Sequence, residues 1–247
     1  MSSQDLAVDI ENLSKRFDAK SPVVIDGLTL KVVRGEFVCL LGASGCGKST
    51  LLNILAGLDA PTSGSVRVAD APTLMFQDAA LMPWLTSGEN IDLALKIQGF
   101  AKTDRRVRVE ELLELVHLPY AFDKRPHELS GGMRQRVSIA RAIAQERSIL
   151  LMDEPFAALD AITRDFLHEE LLNIWQSTGL TVIFVTHNVR EAVRLGQRVL
   201  LMSSKPGRFL EEWKVLLPEP RRIDAPEVAT LASEITDHLR REIKRHG

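Results

Sequence analysis

At 247 residues, with 45% hydrophobic and 26% charged residues, the chain has the balance of a soluble globular protein and is long enough for one α/β domain with a substantial core. A formal net charge of -2 supplies no basic field for nucleic acid. No apolar run approaches the ~20 residues a membrane helix needs, residues 1–6 lack the apolar core of a secretory leader, and two cysteines, Cys39 and Cys46, make no disulfide framework, which points to a reducing compartment.

Residues 6–76 read as strands with one helix between them. Residues 6–17 and 23–33 have strand-like alternation, with Leu28, Leu30 and Val32 on one face and a polar connection at 18–22. They form an expected N-terminal antiparallel piece. Phe17, at the end of the first strand, is either a core residue or a flat face on which an adenine could stack. Residues 37–41 are a short apolar run suited to a buried strand. Gly42, Ala43, Ser44, Gly45, Cys46, Gly47, Lys48, Ser49 and Thr50 follow, fitting the pattern of Gly, four residues, Gly-Lys and Ser or Thr. Residues 48–56 then read as a helix carrying Leu51, Leu52 and Leu55. Strand, glycine loop and helix is the context in which this pattern binds phosphate. The glycines permit a tight turn of inward amides, and the helix start adds partial positive charge. Lys48 would reach the terminal phosphates, and the Ser49 hydroxyl a Mg2+ ion. Cys46 has two readings: a thiol activated by Lys48 and the helix start, with its pKa below ~8.5, or a small loop residue turned into the protein. Cys39, in an apolar strand, should be inert.

A turn at 60–64 leads to short strands at 65–68 and 73–76, ending on Gln77. Residues 78–85 are apolar, contain Pro83 and lack a period, as in a buried loop or a docking surface. Residues 87–98 and 103–116 read as helices. Arg105, Arg106 and Arg108 are interleaved with Glu110 and Glu111, the pattern of a solvated helix face rather than a nucleic-acid patch. These helices interrupt the α/β alternation and predict a helical subdomain at about 78–128. Ser130 is a natural N-cap for a helix over 133–145, and the pair Gly131-Gly132 leaves its first-turn amides open to an anion. Residues 148–152 form an apolar strand ending in Asp153 and Glu154. Beside a phosphate loop, Asp153 would support Mg2+ and Glu154 would orient water. After a loop at 157–160 come a helix at 162–177, a buried strand at 180–185 and His187, placed to donate to a terminal phosphate. A short helix at 189–195, strands at 198–203 and 209–216, a Pro-rich connection at 218–226 and a terminal helix at 227–245 complete the chain. That last helix ends in Arg240, Arg241, Lys244 and Arg245, complementing its dipole.

These motifs together resemble ABC-transporter ATPase subunits. Residues 42–49, Gln77, Leu129-Ser130-Gly131-Gly132-Met133-Arg134-Gln135, residues 149–154, Asp160 and His187 occur in that family's order and spacing. The resemblance covers nearly the whole chain, which is expected to be a single α/β ATPase domain with a mostly parallel sheet and a C-terminal strand and helix at about 205–247. It implies that Phe17 stacks adenine, that residues 42–50 cradle ATP, and that Ser49, Gln77 and Asp153 serve Mg2+. Glu154, His187 and Gln77 are implied as catalytic, with His187 contacting the γ-phosphate. Ser130, Gly131, Gly132 and Gln135 would serve ATP held by a second copy, in a homodimer. Residues 76–85 and 203–208 look like those of nitrate, sulfonate, taurine and bicarbonate importers, which implies membrane permease subunits, a substrate-binding protein and a peripheral place on the cytoplasmic face of the inner membrane. A lipid or other exporter, or a soluble ABC-type ATPase, shares the core motifs. Asn188 stands where an acidic residue commonly follows the switch histidine.

Overall fold

The structure, a computed structural model, describes residues 5–157 and 159–246, without the side chains of Arg245 and His246. Residues 1–4 at the polar start, Ala158 in the 157–160 loop and the Arg245 charge therefore lie outside the described residues. Strand β1 (Leu6–Lys15) pairs antiparallel with β2 (Ile25–Val33) on one side and with β4 (Ser63–Val68) on the other, a separate three-stranded sheet. The main sheet has six strands in the order β5 (Thr73–Met75), β6 (Ile149–Asp153), β7 (Thr181–Val185), β3 (Phe37–Gly42), β8 (Arg198–Met202) and β9 (Phe209–Lys214). All its pairings are parallel except β8 with β9.

Strand β3 lies between two cores, which is why its sequence is continuously apolar rather than alternating. Phe37, Cys39 and Leu41 face one core and Val38 and Leu40 the other, every one of them fully or nearly fully buried. The second core also takes Val8, Ile10, Leu28, Leu30 and Val32 from the small sheet, with Leu51, Leu52 and Leu55 from α1 (Lys48–Leu55). The first is built largely by helices: α2 (Ser87–Ile97), α3 (Lys102–Leu115), α4 (Gly131–Ile143), α5 (Ala161–Thr178), α6 (Val189–Leu195) and α7 (Pro226–His246). Trp175 on α5 meets Phe37 edge-on at 5.7 Å and donates to the Gly35 carbonyl at 2.9 Å, so its indole N–H is satisfied where the ring is buried. No helix among the described residues is long and apolar enough to cross a membrane.

Helix α2 starts with a capping box, in which Glu89 N–H donates to Thr86 Oγ1 and Thr86 N–H to Glu89 Oε2. An ion pair between Arg105 and Asp92 at 2.9 Å ties α3 to it. Two single-turn 3-10 segments, Pro119–Ala121 and Pro126–Glu128, were not expected from the sequence; each opens on the proline whose fixed φ suits a first turn. Helix α4 starts two residues earlier than expected, so Gly131 and Gly132, of the Leu129-Ser130-Gly131-Gly132-Met133-Arg134-Gln135 signature, lie within its first turn.

Candidate functional site

In a parallel sheet the ligand crevice lies outside the carboxyl ends of the strands. Four adjacent strands, β5, β6, β7 and β3, run parallel here, and their carboxyl ends lead in turn to Gln77, Asp153-Glu154, His187 and the glycine loop. Val185 on β7 is in register with both Leu40 on β3 and Asp153 on β6. The histidine segment is thus clamped between the loop strand and the carboxylate strand. Thr186 N–H donates to the Leu40 carbonyl at 3.2 Å and Glu154 N–H to the Val185 carbonyl at 3.0 Å.

The glycine loop has the shape of an anion cradle. Gly45 and Gly47 have φ of 78° and 102°, a region open to glycine and strained for other residues. A Cβ on Gly42 would stand 2.7 Å from Cys46 Sγ, so the turn closes only around a bare backbone. Gly47 caps α1 without a side-chain cap, and no acidic residue lies in that helix's first turn. The amides of Ser44, Gly45 and Gly47 find no acceptor among the described residues, which leaves donors for phosphate oxygens. Lys48 is 6% exposed. Its Nζ donates to the carbonyls of Gly42 at 2.8 Å and Ala43 at 3.0 Å, a position inside the loop itself. Ser49 is exposed and Thr50 half-buried at the start of the helix.

Cys46 corrects one expectation. It is 1% exposed, sits in the second core, and its Sγ lies 3.7 Å from Lys48 Nζ. Burial pushes its thiol above the ordinary value; the Lys48 charge pulls the other way without offsetting it. Of the two readings, the structure shows the sulfur turned into the protein, and the Cys46 N–H donates to the Ala43 carbonyl at 3.3 Å. Cys39 is fully buried and its thiol is pushed higher still by burial, with the Glu191 charge adding to the effect.

Glu154 and His187 meet directly: His187 Nδ1 and Glu154 Oε2 are 2.8 Å apart, and Glu154 Oε1 has no partner among the described residues. Glu154 has φ of 46°, the left-handed region, which costs a side-chain-bearing residue ~1–3 kcal/mol and persists only where the surroundings impose it.

Gln77 is exposed, and with Asp78, Gly131, Gln135 and Pro155 it lines one cleft. Pro155 directly follows Glu154. The start of the signature helix therefore faces the Gln77 segment and the carboxylate loop of its own chain. Ser130 caps α4 as expected, accepting from Met133 N–H at 3.2 Å. Gly132 packs so closely on Thr163 that a Cβ there would stand 2.5 Å from its Cγ2. Gln135 is 4% exposed, its Nε2 unpartnered among the described residues. Phe17 lies two residues beyond β1, which is shorter than the strand expected over 6–17, and is 63% exposed, with Lys15 Nζ 5.1 Å from its ring centroid. Strand β1 meets the glycine loop through Val24, which donates to the Lys15 carbonyl at 2.8 Å and whose own carbonyl lies 3.3 Å from where a Gly47 Cβ would be.

Several residues around the site escaped the sequence reading. Arg141 on α4 donates to the carbonyls of Ala80 at 2.8 Å and Ala79 at 2.9 Å, and burial lowers its pKa. Asn90, 1% exposed, holds Met82 N–H at 2.8 Å and donates to the Thr86 carbonyl at 2.9 Å. Together they pin the non-periodic stretch after Gln77, at whose outer end Trp84 is 68% exposed. Asn188, singled out in the sequence only for standing where an acidic residue commonly follows the histidine, caps α6, accepting from the amides of Arg190 and Glu191. Only this last residue left a signal: Asn followed three residues later by Glu is a helix-start pattern.

Residues 25–157 match the ABC transporter family. A bicarbonate transport ATP-binding protein of Synechocystis is 42% identical over 96% of this chain, which spans only 38% of that relative's length. A nitrate import ATP-binding protein of Synechococcus elongatus is 43% identical over 89% of this chain and 85% of its own. Among solved structures, the dimeric post-hydrolysis state of an ATP-binding cassette bound to ADP and Pi covers 85% of this chain and 100% of its own, with a TM-score of 0.76 and 33% identity.

Proposed function

The chain belongs to the ABC transporter family, and on that premise we propose that it is the ATP-hydrolysing subunit of a membrane importer for small anions. The observation that carries the reading is the row of strand ends, on which the glycine loop, His187 and Glu154 follow from neighbouring strands with His187 Nδ1 2.8 Å from Glu154 Oε2.

The glycine loop would bind the β- and γ-phosphates through its free amides, with Lys48 leaving the Gly42 and Ala43 carbonyls for phosphate oxygens. Phe17 would lie against the adenine. Ser49, Gln77 and Asp153 offer a hydroxyl, an amide oxygen and a carboxylate, a hard all-oxygen donor set that fits Mg2+. The bound ion would supply charge neutralisation on the phosphates. Glu154 would accept a hydrogen bond from the attacking water through Oε1, and His187 would keep that carboxylate in place and reach the γ-phosphate through Nε2. Ser130, Gly131, Gly132 and Gln135 would serve ATP held by a second copy, the two chains closing head to tail. Closure would require the γ-phosphate, and its loss would reopen the pair. Trp84 and its pinned loop would meet the permease subunits on the cytoplasmic face of the inner membrane, a substrate-binding protein delivering the anion from the other side. Nitrate and bicarbonate, named for relatives at 43% and 42% identity, are the substrate class we favour.

The test compares two variants of the purified chain. Lys48→Ala should lose ATP binding, whereas Glu154→Gln should bind ATP and release no phosphate. Turnover by Glu154→Gln at the wild-type rate would remove Glu154 from the mechanism.

A further inference from the structure

Behind the Glu154–His187 pair stands a buried polar chain that no motif contains. His168, on α5, is 0% exposed. Its Nε2 lies 2.6 Å from Glu191 Oε1 on α6. Glu191 is 4% exposed, and its other oxygen accepts from the Thr186 hydroxyl. Thr186 Oγ1 in turn accepts from Asn188 N–H at 3.0 Å. His187 is therefore flanked on both sides by residues tied into this chain. On its other face the His168 ring meets Phe156 edge-on, centroids 5.4 Å apart. Phe156, 1% exposed, is two residues beyond Glu154. The contacts close a ring from Glu154 to His187, Thr186, Glu191, His168, Phe156 and back to Glu154.

We propose that His168 is a positioning residue for ATP hydrolysis, a side chain that touches both the loop carrying Glu154, through Phe156, and the network carrying His187, through Glu191. The inference rests on the proposed roles of those two residues. A carboxylate as buried as Glu191 must have both oxygens hydrogen-bonded, and the donors are the His168 ring and the Thr186 hydroxyl. His168 Nδ1 has no partner among the described residues. The neutral imidazole protonated on Nε2 fits this setting: it donates to Glu191 and leaves only a lone pair unmatched, whereas a protonated ring would strand an N–H. With the His168 donor gone, Glu191 Oε1 is orphaned. The carboxylate must turn, and the Thr186 hydroxyl turns with it. His187 then loses its register on Glu154, although nothing in the phosphate cradle has changed. A displacement near 1 Å at reacting groups costs on the order of 100-fold in rate, so the loss belongs in kcat and not in ATP affinity.

The experiment measures kcat, ATP affinity and melting temperature for His168→Leu, His168→Gln, Thr186→Val and, as the reference for the site itself, Glu154→Gln. His168→Leu keeps bulk without a donor; kcat should fall ~10- to 100-fold with ATP affinity within about twofold of wild type. Thr186→Val cuts the same chain at the next link and should show the same split, so it decides the matter if the leucine variant does not fold. His168→Gln restores an N–H for Glu191 and should keep kcat within about threefold of wild type. Wild-type kcat in either His168→Leu or Thr186→Val overturns the proposal, as does a glutamine variant that binds ATP yet hydrolyses no faster than the leucine one. If Glu154→Gln is inactive while His168→Leu is fully active, the positioning role alone fails. Wild-type turnover by Glu154→Gln overturns the reading of the site and this inference with it.

Discussion

Gly132 offers a test of the signature helix that is independent of nucleotide. A Cβ at this position would lie 2.5 Å from Thr163 Cγ2, against the ~3.5–4.0 Å of a favourable carbon contact. Thr163 cannot simply rotate. Its hydroxyl donates to Asp160 Oδ2 at 2.7 Å, beside the amide bond to Asp160 Oδ1 at 2.9 Å that caps α5, so swinging the methyl away breaks the hydroxyl bond to Asp160. Overpacking of this kind costs ~1–3 kcal/mol. Replacing glycine with alanine in a helix returns up to ~1 kcal/mol, which masks part of the clash in the single variant. A double-mutant cycle removes that mask: Thr163→Ser keeps the hydroxyl and the cap while deleting Cγ2. The coupling between Gly132→Ala and Thr163→Ser should be ~1–3 kcal/mol in favour of the double variant, or ~2–12 °C in melting temperature for a chain of this size. Urea and thermal unfolding of the four proteins measure it. Coupling below about 0.5 kcal/mol, the scatter of independent sites, would refute the close packing of α4 on α5.

Three further outcomes follow from burial and hydrogen bonding. Cys46, with its thiol buried and its pKa raised by that burial, should resist a maleimide at pH 7 in the nucleotide-free protein and react only after denaturation; rapid labelling blocked by ATP would restore the activated-thiol reading. Trp84→Ala should leave stability within about 0.5 kcal/mol, as for an exposed side chain, while weakening capture of the permease subunit; a large melting-temperature drop would place the ring in a core instead. Asp160 has its pKa lowered, first by its bond from the Thr163 amide. Its stabilising effect is therefore complete above the unfolded carboxylate value of ~3.9 and lost as pH falls through the lower folded value, so the acid limb of the stability curve should flatten in Asp160→Asn and stay unchanged if the cap is not formed.

The sequence revealed those parts of the molecule that obey local rules. The strand, glycine loop and helix over 37–56 were legible because glycine positions and apolar runs encode them directly, and the strand ends at Asp153 and His187 because acids and a histidine interrupt buried runs. Side-chain direction inside a loop is not local. Cys46 sits among glycines beside a lysine, which reads as an activated thiol, yet the turn swings its sulfur into the core under the small sheet. The left-handed backbone of Glu154, whose N–H donates to the Val185 carbonyl of β7, has no sequence signature. His168, Thr186 and Glu191 escaped notice for a similar reason. Each reads as an ordinary polar position on its own element, and only the packing of α5 against α6 brings them into one chain. Arg141 and Asn90 likewise act through carbonyls of a loop far away in sequence or outside any motif.

In the proposed assembly, one chain's glycine loop and another chain's signature helix share each ATP. Mixing two inactive proteins tests it. Lys48→Ala lacks the lysine proposed to hold phosphate, and Ser130→Arg has lost the cap at the open start of α4; each alone should hydrolyse no ATP, and Ser130→Arg should still bind it as a monomer. In a mixed pair, the intact Lys48 of one chain faces the intact signature of the other, restoring one complete site. Phosphate release should therefore appear on mixing and rise to a maximum near equal proportions. A mixture as inactive as its components, with Ser130→Arg unable to bind ATP as a monomer, would show that the signature serves its own chain's nucleotide.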